Sequence, residues 1–307
     1  MNTLLIIDGN AVMHRAYHAI PLFKTKEGIP TNVIYGFFSI LNKTIIDFQP
    51  TNLIVCFDTP TPTFRKIAVK EYQAHRPKID DDLIIQIPNV KKALTSAGVF
   101  HCEKPGFEAD DLIGTFVTRF KKQDIKIFIL TGDKDIMQLV DKNVYIVAPR
   151  TGISEFTLYD IEGVIKRMGV EPTQIPNLKA LMGDPSDNYK GAKGIGPKTA
   201  AKLLLEYHTL ENIYNNINYI KNDKVKHLLI EHKTSVDQSK MLATILTDVE
   251  MKCNLSDCEF HGFKIELKDC LLGFGIKSLA ERLFKTKSVK PKKENVIKDN
   301  KDQLGLF

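Results

Sequence analysis

The sequence lacks any apolar run approaching the roughly 18 residues that cross a bilayer. Met1 to Asn10 has no basic segment ahead of its short apolar stretch, which ends at Asp8. The chain is therefore expected to have no signal peptide and no membrane association. Cysteine is scarce, with Cys56, Cys102, Cys253, Cys258 and Cys270 scattered along the chain. That odd number fits a reducing cytoplasm better than a disulfide framework. No internal repeat is visible. Neither charge sign dominates, since 43 Lys and Arg face 37 Asp and Glu for a net +6. Residues 285–302 hold seven lysines against Glu294, Asp299 and Asp302, a net +4, so 1–284 is only +2. What remains is ordinary globular composition over 307 residues, 43% hydrophobic and 26% charged. This is enough for one large domain or two modest ones, and it excludes disorder throughout.

The first half alternates two periodicities. Leu4–Ile7, Leu53–Phe57 and Lys126–Leu130 are short Ile/Leu/Val-rich runs of the kind found in buried parallel strands, with Val144–Val147 a further candidate. Helical patterns lie between them, at about Val33–Phe48, Pro88–Ala97 and Glu108–Lys121. The alternation predicts an α/β sheet covered by helices on both faces. After about Thr157 helix signals dominate, at Asp160–Met168, Gln174–Gly183, Lys198–Tyr207 and Ser235–Leu246. The expected organisation is an α/β domain over 1–168, a helical region over 169–285, and a Lys/Asn/Asp-rich linker over 286–302 leading to a terminal segment.

Each confident strand runs into an aspartate: Asp8 in TLLIID, Asp58 in NLIVCFD and Asp133 in KIFILTGD. Parallel strands end at a common crevice, so three carboxylates from distant parts of the chain are expected to meet. A single such Asp often caps the following helix instead. Glu108 and Asp111, three apart in EADD, share a helix face, with Asp110 beside them. Asp135 adds to Asp133, and GDPSDN supplies Asp184 and Asp187. These nine acids have hardly a histidine among them. His14 and His18 lie near Asp8, where packing or solvation is the simpler account. Crowded carboxylates repel unless cations neutralise them, and an all-oxygen set suits Mg²⁺ or Mn²⁺. Nine acids exceed what one magnesium ion takes and fit two or more ions performing phosphodiester hydrolysis.

GAKGIGPKTA, from Gly191 to Ala200, nearly matches a phosphate loop. Pro197 intervenes before Lys198, however, and no strand precedes the segment. The favoured expectation is a helix-hairpin-helix over about 183–206. Gly191, Gly194 and Gly196 would let the backbone approach a phosphate, and Lys198 and Thr199 open the next helix. A plain glycine turn is the bland alternative.

Taken together, IIDGN, RAYHA, FEADDLIG, TGDKD, GDPSDN and GAKGIGPKTA resemble the bacterial 5′→3′ exonuclease/flap endonuclease family. The nuclease domain of DNA polymerase I is the nearest likeness, over about residues 1–285. The resemblance implies a PIN-like, Rossmann-like, mostly parallel sheet flanked by helices, with a helical arch at about 62–90 and a C-terminal helical region. It implies a monomeric metal nuclease acting on DNA with 5′ flaps, nicks or RNA primers. Asp8, Asp58, Glu108, Asp110, Asp111, Asp133, Asp135, Asp184 and Asp187 would hold metal, with a K⁺ ion at the 191–196 loop. Arg15 matches a family arginine expected to contact phosphate. In the arch, Arg65, Lys66, Lys70 and Arg76 form a basic helical stretch whose charges would hold DNA, and Tyr72 could stack on a base. Gln73 stands where the family usually has lysine, and Lys70, one helical turn earlier, is expected to substitute in part.

The terminal Gln303-Leu304-Gly305-Leu306-Phe307 resembles the bacterial sliding-clamp-binding pentapeptide, with Gln303, Leu304, Leu306 and Phe307 as the contacts. That ending suggests a free-standing nuclease rather than a piece of a polymerase. Cys253, Cys258, His261 and Cys270 could hold zinc by residue type, but their spacing fits no common pattern and reduced structural cysteines are favoured. A PIN-like ribonuclease would lack the arch and hairpin. A non-cutting junction-binding module would have lost several of the acids.

Overall fold

The computed structural model describes residues 2–150, 152 and 155–285. Six strands form one sheet: β1 (Thr3–Asp8), β2 (Asn52–Phe57), β3 (Phe100–Glu103), β4 (Lys126–Leu130), β5 (Val144–Pro149) and β6 (Phe156–Tyr159). Their order is β3-β2-β1-β4-β5-β6. Every pairing is parallel except that of β6 with β5. The expected mostly parallel α/β sheet is what forms.

Strand periodicity splits the apolar side chains between two cores. Leu4, Ile6, Ile54, Cys56, Ile127 and Ile129 face one way, packed under the helix Ala109–Phe120 and the helical half of the chain. Leu5, Ile7, Leu53, Val55, Phe57 and Leu130 face the other, under the helices Gly9–Ala19, Asn32–Phe48 and Ile87–Ala97. Burial on both faces explains why these strands read as continuous apolar runs. The last two helices, Glu266–Gly273 and Lys277–Phe284, return to this second face through Leu267, Leu271, Leu279 and Ala280. The division expected at 168/169 is thus not a spatial one for them.

Below the sheet's C-terminal edge, the helix Ile175–Met182 is followed by an irregular connector over 183–196 and then by the helix Pro197–Tyr207. The expected hairpin is therefore longer than a glycine turn, and its first half carries acids. Asp184 and Tyr189 exchange backbone hydrogen bonds of 3.0 and 3.1 Å, folding 184–189 back on itself. Ala192 N then donates to Leu181 O at 2.8 Å. Gly191 is buried against this turn, and a Cβ there would lie 2.3 Å from Leu181 O and 2.4 Å from Gly183 N. Gly191 is thus a packing glycine rather than part of a phosphate cradle. Of the three glycines at 191, 194 and 196, Gly194, exposed at φ +96°, is the one with positive φ.

Gly191→Ala is accordingly expected to destabilise the protein by about 1–3 kcal/mol in urea unfolding. Gly273→Ala, where nothing lies within 4 Å of the added carbon, is expected to be neutral or stabilising by up to about 1 kcal/mol.

Candidate metal centre

Parallel strand ends deliver the first acids. Asp8 is the last residue of β1, Asp58 directly follows β2, and Asp133 follows β4. Asp8 is both a cap and a site residue: its Oδ1 accepts from Ala11 N at 2.9 Å, opening the helix Gly9–Ala19. Its Oδ2 accepts from the Thr131 hydroxyl at 2.8 Å, and that hydroxyl also accepts from Asp133 N at 3.0 Å. One buried threonine thus fixes two acids. Asp58 Oδ1 accepts from Ala109 N at 2.7 Å, at the N-terminus of the helix Ala109–Phe120. Asp110, in the first turn of that helix, completes the group.

Nothing basic compensates these four acids fully. Burial, then repulsion from Asp58 and Asp133, raises Asp8 to about 7 against its bonds from Ala11 and Thr131. Burial also raises Asp58. Asp110 rises well above its ordinary value through burial and the charges of Asp133, Asp8, Asp58 and Glu108. Glu108 is pushed by burial to about 7 despite Arg65.

A second cluster adjoins the first. Asp135, Asp184 and Asp187 are buried with ligand oxygens within 4.8 Å of one another, the only such group among the described residues. Asp135 N donates to Asp133 Oδ1 at 2.8 Å, which ties the clusters together. Here two cations intervene. Lys179, on the helix Ile175–Met182, places Nζ 2.5 Å from Asp135 Oδ1 and also against Asp184 Oδ2. Arg76 Nη2 donates to Asp187 Oδ1 at 2.6 Å. Burial and Asp133 raise Asp135 to about 7 in spite of Lys179. Burial would raise Asp184 as well, but bonds from Lys179 and Ser186 outweigh it and hold Asp184 below its ordinary value. A cavity of about 680 Å³ opens over this cluster, lined by Arg76, Asp133, Asp135, Lys179, Asp184 and Asp187 among others.

Several expected site residues lie elsewhere. Asp111 pairs with Glu108 across the first helical turn as the spacing predicts, but its own side chain turns into the interior and is 0% exposed. Its carboxylate accepts from both Nη atoms of Arg65 at 2.8 Å and from Leu246 N at 2.9 Å, leaving no place for metal. Arg65 is 2% exposed. It spends its remaining donors on Glu108, Leu242 O and Thr244 O, so it pins the arch base and cannot touch DNA. Tyr72 is also buried, with its hydroxyl 3.3 Å from Glu108 and 3.5 Å from Asp187, and offers no face to a base. The arch helix covers only Phe64–Ala68, after which 70–75 form turns with Gln73 at φ +54°. Lys70 is therefore not one helical turn from Gln73. Lys66 and Lys70 remain exposed. Gln73 N donates to Asp187 O at 2.9 Å and Asn188 Nδ2 to Glu71 O at 2.7 Å, docking the arch on the second cluster. Arg15 donates to the carbonyls of Gly152 and Arg150 at 2.9 and 3.0 Å. Thr131 and Lys179 were not anticipated. Their signals were the threonine of TGDKD and a lysine inside an apolar helical run, five residues before Asp184.

The donor set is carboxylate oxygen throughout, partly buried and mutually repelling, which fits hard divalent cations. Cys253 and Cys258, with sulfurs 3.3 Å apart, gather no third ligand among the described residues. The family model for the "5′-3′ exonuclease, N-terminal resolvase-like domain" matches residues 3–169, and that for the "5′-3′ exonuclease, C-terminal SAM fold" matches 170–266.

The chain belongs to the 5′-3′ exonuclease family.

DNA polymerase I of Caldicellulosiruptor bescii is 40% identical over 283 residues, covering 91% of this chain and 33% of that protein. DNA polymerase I of Bacillus subtilis is 37% identical over 281 residues, covering 91% and 32%. The chain thus spans about a third of the length of these curated relatives. Its fold is shared with the bacteriophage T5 flap endonuclease, solved in a complex with DNA and metal ions (TM-score 0.64, 18% identity, 92% of this chain and 98% of that one). It is also shared with the catalytic core of Rad2 in complex with DNA substrate (TM-score 0.59, 15% identity, 92% and 91%).

Two tests follow from this geometry. Arg65→Met should cost about 3–5 kcal/mol in denaturant unfolding by stranding Asp111, and Arg65→Met with Asp111→Leu clearly less. Asp8, Glu108 and Asp135 have folded values raised to about 7 from 3.8, 4.5 and 3.8. The folded state therefore binds more protons than the unfolded one between those values, and its stability falls as pH rises through about 7. In EDTA the thermal midpoint should drop from about pH 5 to about pH 8, and Mg²⁺ should shrink that drop.

Proposed function

We propose that the chain is a 5′→3′ exonuclease and flap endonuclease that hydrolyses phosphodiester bonds in DNA with 5′ flaps, nicks or RNA primers, in replication and repair. Its metals are two or more Mg²⁺ or Mn²⁺ ions. The observation that carries this reading is the convergence of Asp8, Asp58, Asp110 and Asp133 on one crevice, where no lysine or arginine of the described residues pairs with them. These four, with Glu108 at their edge, would hold one ion, and Asp135, Asp184 and Asp187 a second. Bound there, such ions make a nucleophile of water and stabilise the leaving oxygen.

The protein's own residues then bind and orient. Thr131 holds Asp8 and Asp133 in register. Arg76, about half exposed at the mouth of the cavity, is placed to take a phosphate, and exposed Lys66 and Lys70 extend that positive surface over the arch. Gly194 and Gly196 leave exposed backbone ahead of the helix Pro197–Tyr207, whose first turn holds Lys198 and Thr199. This terminus grips the DNA backbone without reading bases, and a K⁺ ion at the same loop would strengthen the grip. Gln73, in place of a charged residue, offers only a hydrogen bond, with Lys70 in the adjoining turn to supply charge. Gln303, Leu304, Leu306 and Phe307 lie outside the described residues. Recruitment by a sliding clamp rests on their sequence alone.

A 5′-flap substrate tests this directly. Cleavage is expected with Mg²⁺ and is expected to vanish in EDTA and in Asp133→Ala, the residue that joins the two clusters. Unaltered cleavage in EDTA would sink the mechanism.

A further inference from the structure

The two clusters differ in how their charge is balanced. Around Asp8, Asp58, Asp110 and Asp133 the hydrogen bonds come from backbone N–H groups and the Thr131 hydroxyl. No lysine or arginine bonds to these four among the described residues. In the second cluster, Lys179 bridges Asp135 and Asp184, and Arg76 pairs with Asp187. Two unit charges supplied by the chain equal the charge of one divalent ion. Lys179 is the more committed of the pair, since its side chain is 10% exposed against 51% for Arg76. Its ammonium touches two of three carboxylates whose oxygens all lie within 4.8 Å of one another, which is where an ion shared by them would sit. A further feature marks this pocket as incomplete. The Tyr189 hydroxyl, on a side chain 6% exposed, is buried without a hydrogen-bond partner. The charges of Asp135, Asp184 and Asp187 all act on it. A buried donor left unpaired costs free energy and needs an explanation.

We propose that Lys179 is a built-in occupant of the second carboxylate cluster, which a divalent ion must displace to enter, so that the two metal sites load unequally and in order. The inference rests on the two-metal reading above. The first cluster accepts its ion without displacing a lysine or arginine, and that ion relieves existing repulsion. The second ion must break two short ion pairs and move a buried ammonium group aside. Lys179 is thus a positioning residue. It keeps Asp135 and Asp184 together when metal is absent, and it lowers the affinity of the site it preorganises. The unpaired Tyr189 hydroxyl belongs to the same picture, as a donor available to the hydration shell of an ion in that pocket.

Mn²⁺ binding to the full chain, followed by calorimetry and by the electron paramagnetic resonance of free Mn²⁺, measures this without DNA or turnover. Wild type should show one tighter and one weaker site. Lys179→Met, close in shape and uncharged, should tighten the weaker site by about tenfold or more while leaving the tighter one in place. Thermal unfolding guards against misfolding. Lys179→Met should melt lower than wild type in EDTA and gain a larger increment from Mn²⁺. Lys179→Arg, which keeps the charge, should retain the weak second site. Two ions binding with unchanged affinities in Lys179→Met, or a weaker second site there, would overturn the inference and leave the two-metal reading intact. If neither protein binds Mn²⁺, the two-metal reading falls and this inference with it.

Discussion

Negative charge held out of water governs this molecule. The parallel sheet brings Asp8, Asp58 and Asp133 to one edge, the helix Ala109–Phe120 adds Glu108 and Asp110, and the 184–189 turn adds two more acids. In a low-dielectric crevice such groups either lose their protons only with difficulty or find cations. Both outcomes are present. Asp8, Glu108 and Asp135 are raised to about 7, and Asp184, bonded by Lys179 and Ser186, stays ionised. Much of the surrounding structure serves as scaffolding for this charge: the Thr131 hydroxyl, the backbone N–H groups of Ala11 and Ala109, and the ion pairs of Lys179 and Arg76.

Arg65 and Asp111 form the dry counterpart of the site. Their bidentate pair, with Leu242 O, Thr244 O and Leu246 N around it, joins the arch base, the helix Ala109–Phe120 and the 242–246 loop. Such a pair adds little net stability over apolar packing but is costly to break by halves. Its value here is geometric. The guanidinium also reaches Glu108 at 3.2 Å, so the residue that anchors the arch also fixes an acid at the mouth of the first cluster. A shift of the arch base would be felt at the crevice.

The sheet, its parallel direction and the meeting of Asp8, Asp58 and Asp133 were legible because buried parallel strands carry an unmistakable apolar run and end on the same side. The strands Phe100–Glu103 and Phe156–Tyr159 were not, since edge strands half exposed to water have mixed sequences. The pairing of Glu108 with Asp111 was legible from helical spacing. What spacing could not say was which way the Asp111 side chain turned, because the deciding partner, Arg65, comes from another part of the chain. Arg65 and Tyr72 read as DNA contacts for the same reason, as a basic and aromatic string has identical local sequence whether it faces solvent or acids. Lys179 was hidden differently. A lysine in an apolar helix looks like a surface position until the fold sets two carboxylates, Asp135 and Asp184, against it.

Arg76 shows how these charges connect to substrate. It pairs with buried Asp187 at 2.6 Å while its own side chain remains about half exposed, so the guanidinium is open to a competing partner from solvent. A phosphate entering the cavity offers the same guanidinium a charge-assisted, bidentate alternative. Taking it would release Asp187 and remove one of the two internal cations from the second cluster. The negative charge left behind then favours an incoming divalent ion at the moment when DNA is in place. On the proposed two-metal reading, the second site would then be incomplete without substrate for an electrostatic reason: the arginine placed to take a phosphate is one of the two cations that neutralise the cluster in its absence.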